Sequence, residues 1–386
     1  MESTYLMKVP VCQQQTILIN RQPDDKGSYR IFSGGMRAAK YQNDAWYVEP
    51  ILDQGRATAK GFLSATELNE FFRQYGFEFV AFNHINWSAG VFNSGWSPLI
   101  PGQTNHMRGP ADLWASIANN LAQRRNRDVP TGLDQPPIQT IASIFDNRSQ
   151  EERIAVSISL SLRNMDICVE QVAEFYNEQL VNHMSSGCLA GERVSNLTLD
   201  QNLFAHVLSF FVHFGAARDY LASFCANRIG MDPQRIDDFA RLAGAVRSNH
   251  FATGGLLQIF HAQGFFREKP NSSTKYEPAG WIKEASEIRN LFVHKRPFGS
   301  CFVETMGYVE PVDKNEGAFR YVRPVMLEDV EHDVQTVILR HYREMTRLCY
   351  EAGVNSGLDT GMTTIGDRDI FSARLERDAA TSTDSR

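Results

Sequence analysis

Arg289, Asn290 and His294 lie close together in the segment EIRNLFVHKR, and two further cations, Lys295 and Arg296, follow directly. An imidazole titrates near neutral pH and can take or give a proton during a reaction. A guanidinium presents a planar fork of donors to phosphate oxygens and to negative charge that builds up in a transition state. An amide four residues before the imidazole is its neighbour on a helix surface and can orient it. Those residue types at that spacing suit acid-base chemistry on a phosphodiester. No carboxylate cluster accompanies them, so the segment points to no metal and no cofactor.

A helix has to hold this segment. With Ile288 at zero and about 100° per residue, Trp281, Ala285, Ile288 and Phe292 share one narrow sector, Leu291 lies on its flank, and that stripe is the core face. Asn290 and His294 then lie almost opposite the core, and Arg289 sits on the shoulder. The helix is expected over 279–296, ended by Pro297. A solvent-facing Arg, Asn and His is, taken alone, an ordinary surface. Multiplying residue frequencies, however, gives only roughly 0.04 chance occurrences of Arg-Asn-x-x-x-His in a chain of this composition.

The rest of the chain supplies the frame. The first sixty residues are rich in β-formers broken by Gly, Asp and Pro, as in SYRIFSGG and DAWYVEPIL, and read as short strands and turns. Ser64, three residues ahead of Glu67, has capping-box spacing before the helix of SATELNEFFRQYGF. Residues 83–109 are aromatic and rich in Gly and Asn, and are expected as a long ordered loop or irregular β region. Trp87 and Trp96 within it suit anchoring to a core better than stacking on a base.

Helical patterning begins near Pro110 and closes with Arg124, Arg125 and Arg127, cations that complement a helix C-terminus. After the proline-containing stretch DVPTGLDQPP, one long helix or two is expected over 150–184, and another long helix over about 200–227, stopping at Gly230. Shorter helices follow in DPQRIDDFARLAGAVRSN and GLLQIFHAQGFF. A hairpin is expected in CFVETMGYVEPVDKNEGAFRYVRP, then a last helix in LEDVEHDVQTVILRHYREMTRLCYEAG. Residues 354–386 show little periodicity and read as a mobile polar tail.

Composition limits the function classes. A chain of 386 residues usually divides into more than one core, and 42% apolar residues suffice to build them. The net charge of -6 means that any nucleic-acid binding has to come from a local basic patch. The scattered cysteines, Cys12, Cys168, Cys188, Cys225, Cys301 and Cys349, form no CxxC pair, and no signal-like segment precedes them. Buried thiols in a reducing compartment, and a cytoplasmic protein, are expected. No apolar run approaches the length that spans a bilayer, so no membrane association is expected. His206 and His213, seven apart on one helix without a matching acid, suit packing rather than metal binding.

The helix around Arg289 resembles the motif helix of the HEPN superfamily, whose ribonuclease members carry an Arg, four to six residues and a His, commonly with Asn, Asp or His after the Arg. The match is Arg289, Asn290 and His294, and no other Arg-x(4–6)-His occurs in the chain. The resemblance covers about residues 200–353, where a long helix, a motif helix and a long last helix follow in the order of a HEPN bundle. It implies a mostly helical HEPN-like bundle over 196–353; with residues 1–195 read from their own patterning as a mixed α/β N-terminal domain and 354–386 as the tail, the chain is expected to be α+β. It also implies metal-independent RNA cleavage by the ribose 2′-OH, leaving 2′,3′-cyclic phosphate and 5′-OH ends. His294 would be the acid-base residue, Arg289 would hold the scissile phosphate, Asn290 would orient the imidazole, and Lys295 and Arg296 would guide the RNA backbone.

Arg218 and Asp219, in HFGAARDY of the preceding long helix, would border the cleft. Family members pair their motifs by dimerising, which implies a homodimer. Many serve as toxins or in abortive infection and antiphage defence, which implies a regulatory partner or ligand for residues 1–195. The alternative is a non-catalytic module in which the same cleft binds nucleotide or a partner protein.

Overall fold

The computed structural model describes residues 26–40, 45–49, 62–88, 91–98, 109–126, 147–186, 191–195, 197–252, 255–270, 272–313 and 318–362. It is an α+β fold in which one antiparallel sheet lies against a helical bundle. The sheet comprises β1 Lys26–Phe32, β2 Arg37–Lys40, β3 Ala45–Glu49, β4 Phe62–Ser64, β5 Phe79–Ser88 and β6 Val91–Pro98, in the order β4-β3-β2-β1-β5-β6. Trp46 and Val48 of β3 are buried at alternate positions, as a half-covered strand requires. Between β4 and β5 runs α1, Ala65–Gln74. Its capping box is formed in both directions, since Glu67 N–H donates to Ser64 Oγ (3.3 Å) and Ser64 N–H donates to Glu67 Oε2 (2.8 Å).

Of the two readings of residues 83–109, a long ordered loop or an irregular β region, the β one holds over the described part, which is largely the β5–β6 hairpin, paired from Ala81↔Pro98 to Ser88↔Val91. Asn and Gly are poor strand formers, and cross-strand pairing overrides that local preference. Trp96 anchors this hairpin, as expected, by donating from Nε1 to the Tyr342 hydroxyl (3.1 Å). Residues 99–108, the side chain of Trp87 and the proline-containing stretch 128–137 lie outside the described residues.

The bundle is built from α2 Pro110–Asn126, α3 Gln150–Ser186, α4 Leu197–Arg228 and a last helix, Val334–Val354, packed on one another. At 37 residues α3 is one unbroken helix, about 55 Å long at 1.5 Å per residue. Helix α4 stops ahead of Gly230, which adopts a left-handed φ of 75°. Three short helices follow: α5 Phe239–Ala245, α6 Ser248–Ala252 and α7 Leu256–Ala262. They lead into the hairpin of β7 Phe266–Lys269 and β8 Ser272–Pro278, and then into α8, Gly280–Asn290, which lies on α4. Helix α5 starts only after Asp238, whose carboxylate accepts the Arg241 N–H, so the expected helix over DPQRIDD is not formed.

The expected hairpin is β9 Tyr308–Asp313 with β10 Ala318–Val322. A second one, β11 Pro324–Leu327 with β12 Val330–Asp333, replaces the expected start of the last helix, turned by Glu328 and Asp329 at positive φ. That helix, α9, begins at Val334, and Asp333 caps it by accepting from Thr336 N–H (2.9 Å). Beyond α9, Asn120 Nδ2 donates to the carbonyls of Asp359 and Gly361, so the chain is held against α2 where a mobile tail was expected; residues 363–386 lie outside the description.

The boundary expected near residue 195 does not separate two cores. Buried side chains from Tyr29 to Ala352 form one continuous cluster, and α3 packs both on the sheet side and on α4. Gly35, at φ 88°, approaches so closely that a Cβ would lie 2.5 Å from the Tyr176 carbonyl of α3, and Asn177 Nδ2 donates to its carbonyl (2.7 Å). The sheet finds its apolar cover in the bundle, so the two build one interior. Among the described residues no helix is long and apolar enough to cross a membrane.

Candidate functional site

Helix α8 buries Ile282, Ala285 and Ile288, and Phe292 continues the stripe beyond it, while Asn290 and His294 face solvent and Arg289 is half-buried on the shoulder. Trp281, expected in the stripe, is partly covered, with its ring on Phe214 (5.8 Å) and Phe265 (5.3 Å), and Ile282 carries the deep contact.

The helix changes winding inside the motif. After Asn290, residues Leu291–Lys295 form a π-helical turn, closed by Arg296 N–H donating to the Leu291 carbonyl at 2.7 Å, just before Pro297. A π-turn closes from residue i to i+5, so residues five apart come round towards one side, as residues four apart do in an α-helix. Arg289 and His294 are five apart. Asn290, four before His294, is spent differently: its Oδ1 accepts from Arg289 Nη1 (3.2 Å), and no hydrogen bond joins it to His294. The expected orienting contact from Asn290 to the imidazole is therefore replaced by a contact to the guanidinium, because the extra residue of the π-turn breaks the four-residue register.

Arg289 rests on Gly215 of α4, where a Cβ would lie 3.7 Å from its Nε and 3.9 Å from its Cδ. Its Nε is buried and has no protein partner. One turn earlier, Ser286 Oγ donates to the Ile282 carbonyl (2.6 Å) and accepts from Arg218 Nη1, which reaches across from α4. Arg218 also pairs with Asp219 (2.8 Å), and Asp219 accepts from Phe239 N–H at the start of α5 (3.3 Å). Burial pushes the Asp219 carboxyl up, against the pull of Arg218. The structure thus brings Arg218 to the motif helix through Ser286, rather than onto Arg289 itself, while Asp219 backs Arg218 and holds the start of α5.

The basic run divides. His294 and Lys295 are exposed and enter no ion pair. Arg296 turns inward. Its Nη1 pairs with Glu304 (3.0 Å), a carboxylate of zero exposure, and it also meets Cys301 Sγ and the Met326 carbonyl. Glu304 further accepts from Gly299 N–H (2.9 Å) and Met326 N–H (3.0 Å). A buried carboxylate needs a cation and donors, so Arg296 closes the loop after the motif and is not available to an RNA backbone.

Sequence reasoning missed His341 of α9, fully buried behind the motif helix, its ring 6.0 Å from Phe211 and 5.9 Å from Phe214. Burial pushes it down to about 3, with the adjacent Arg340 acting in the same direction. It sits in HYREM of the last helix, where nothing local marks it, and only packing against α4 shows its place. An ion pair between Glu284 and Arg340 joins α8 to α9. His206 and His213 are half-buried on α4, and burial lowers both. Among the described residues no three His, Cys, Asp or Glu side chains converge as a metal site would need.

Fold and site together define an α+β protein whose bundle presents an Arg–Asn–His cluster at a π-turn, with a half-buried guanidinium and an exposed imidazole. Set against models of known families, curated proteins and solved structures, the chain matches none of them.

Proposed function

We propose that the protein is a metal-independent endoribonuclease of HEPN type. The observation that carries this reading is the pair Arg289 and His294, five residues apart across a π-turn, the first packed on Gly215 with its Nε unpaired and the second open to solvent. RNA carries its own nucleophile. The ribose 2′-OH attacks the adjacent phosphorus, the bond to the 5′-oxygen breaks, and a 2′,3′-cyclic phosphate and a 5′-OH remain. Arg289 binds the phosphate oxygens and the charge that develops on them, and Asn290 steadies Arg289. His294 moves a proton, Lys295 attracts the backbone, and Arg218, through Ser286, keeps α8 on α4.

One imidazole serves one of two proton transfers, so a second copy of the same face is expected to supply the other in a homodimer. A toxin or antiphage role, in the cytoplasm and under control of a ligand or partner at residues 1–195, belongs to the same proposal.

The test is an RNA pool incubated in EDTA with the wild type and with His294→Ala, fragment ends analysed and both proteins sedimented. Cleavage leaving cyclic phosphates, reduced about 10²–10⁴-fold in the variant, is expected from the usual worth of a general acid-base group, with both proteins dimeric. Equal cleavage by both would sink the assignment of His294. Tight RNA binding without turnover would favour the binding-module reading.

A further inference from the structure

The winding of residues Leu291–Lys295 decides which neighbour His294 has. At about 100° per residue, residues five apart on an α-helix stand about 140° apart, so α winding would set His294 over Asn290 and turn it away from Arg289. The π-turn makes the opposite choice. Because α winding is the chain's default and π-turns are rare, a contact outside the segment has to hold the wider turn.

That contact lies at its C-terminal end. Arg296, whose N–H closes the turn on the Leu291 carbonyl (2.7 Å), is anchored by its side chain. Its Nη1 pairs with Glu304 Oε1 (3.0 Å), and its Nη2 donates to the Met326 carbonyl of β11. Glu304 is fixed in turn. Its Oε1 accepts from Met326 N–H (3.0 Å), its Oε2 from Gly299 N–H (2.9 Å), and its carbonyl from Arg323 Nε (2.8 Å). Gly299, at φ 87°, lies so close to α4 that a Cβ would stand 2.5 Å from the Phe204 ring, which fixes the loop between Arg296 and Glu304. Rewinding to α would give the Leu291 carbonyl to Lys295 N–H and swing Arg296 off a carboxylate of zero exposure, leaving a buried charge without its cation.

We propose that Glu304 is a positioning residue: through Arg296 it holds Leu291–Lys295 in the π winding and so keeps His294 on the side of Arg289. The consequence for cleavage rests on the ribonuclease reading, whereas the winding does not.

Hydrogen exchange resolved to single amides of the full chain, read beside cleavage kinetics, tests it in Glu304→Gln, in Glu304→Gln with Arg296→Met, and in Arg296→Lys. The double variant leaves no buried charge unpaired, so it folds even where the single one does not, and melting curves check this. Released from Glu304, the Arg296 amide should exchange at least about tenfold faster while the amides of α4 stay unchanged. The same variants should cut kcat about 10²-fold at unchanged KM, the scale of a misplaced group. Arg296→Lys, which keeps a cation for Glu304, should retain most of both. An Arg296 amide as protected in the double variant as in the wild type overturns the proposal. So does protection lost evenly along α8, which marks general loosening, and so does faster exchange at Arg296 with wild-type kcat. Absence of cleavage by the wild type would sink the ribonuclease reading, and the exchange result would still decide whether Glu304 holds the winding.

Discussion

His294 and His341 lie on helices that both pack on α4, yet one is solvated and the other has no exposure at all. Burial holds His341 neutral, with its pKa at about 3 against an ordinary 6.5. In the unfolded chain it gains a proton as pH falls below about 6.5, and in the folded chain it does not until about 3. The unfolded state thus binds more protons in that window, and its contribution to stability is lost as pH drops, by at most about 1.4 kcal/mol per unit. His341→Leu should flatten the fall of melting temperature between about pH 6 and pH 4 relative to wild type; parallel curves for the two proteins would show that His341 does not titrate this way. In the sequence both histidines look alike, since burial depends on neighbours far along the chain. His294 was legible because the apolar stripe of its own helix faces away from it. His341 was not, because its covering residues, Phe211 and Phe214, are more than a hundred positions earlier.

At the scale of elements, the contact between α4 and α8 sets the geometry of the site, and Gly215 is where they come closest to the motif. An Ala Cβ there would make an ordinary contact with Arg289 at 3.7 Å. Gly215→Ala should therefore raise stability by about 0.5–1 kcal/mol, the usual gain for a helix-interior glycine, and leave any RNA cleavage unchanged. A Leu has no such room. Gly215→Leu should displace the guanidinium and, if Arg289 acts as proposed, slow cleavage by about 10²-fold, the scale of an ångström's misplacement. Denaturant melts and cleavage rates read both, and wild-type cleavage by Gly215→Leu would remove Arg289 from the mechanism. Local rules located α1, α3 and α4 well because caps, glycine stops and helical periods are written in neighbouring residues. They missed the π-turn at Leu291–Lys295, since that winding is set where Phe292 must meet Phe211 (5.5 Å) and Arg296 must reach Glu304.

At the scale of the whole molecule, Arg323 joins the C-terminal hairpins to α4. It has zero exposure, pairs with buried Asp200 at the start of α4 (2.9 Å), donates from Nε to the Glu304 carbonyl (2.8 Å) and lies over the Phe204 ring (5.4 Å). Arg323→Met leaves Asp200 buried without its cation and should cost about 3–5 kcal/mol, whereas Arg323→Met with Asp200→Leu should recover part of it. Urea titration measures both, and a loss under about 1 kcal/mol would show that the pair carries little. What the sequence determined by itself is the α+β class, most of the long helices, the capping box at Ser64, and the outward placement of Asn290 and His294, all of which follow from patterns within a few turns of chain. Tertiary structure alone decided that sheet and bundle share one interior, and that Arg296 is tied to buried Glu304 and to the Met326 carbonyl rather than offered outside. The physical reason is the same in each case: burial and the pairing of buried charge join residues distant in sequence, and no local period records which of them will meet.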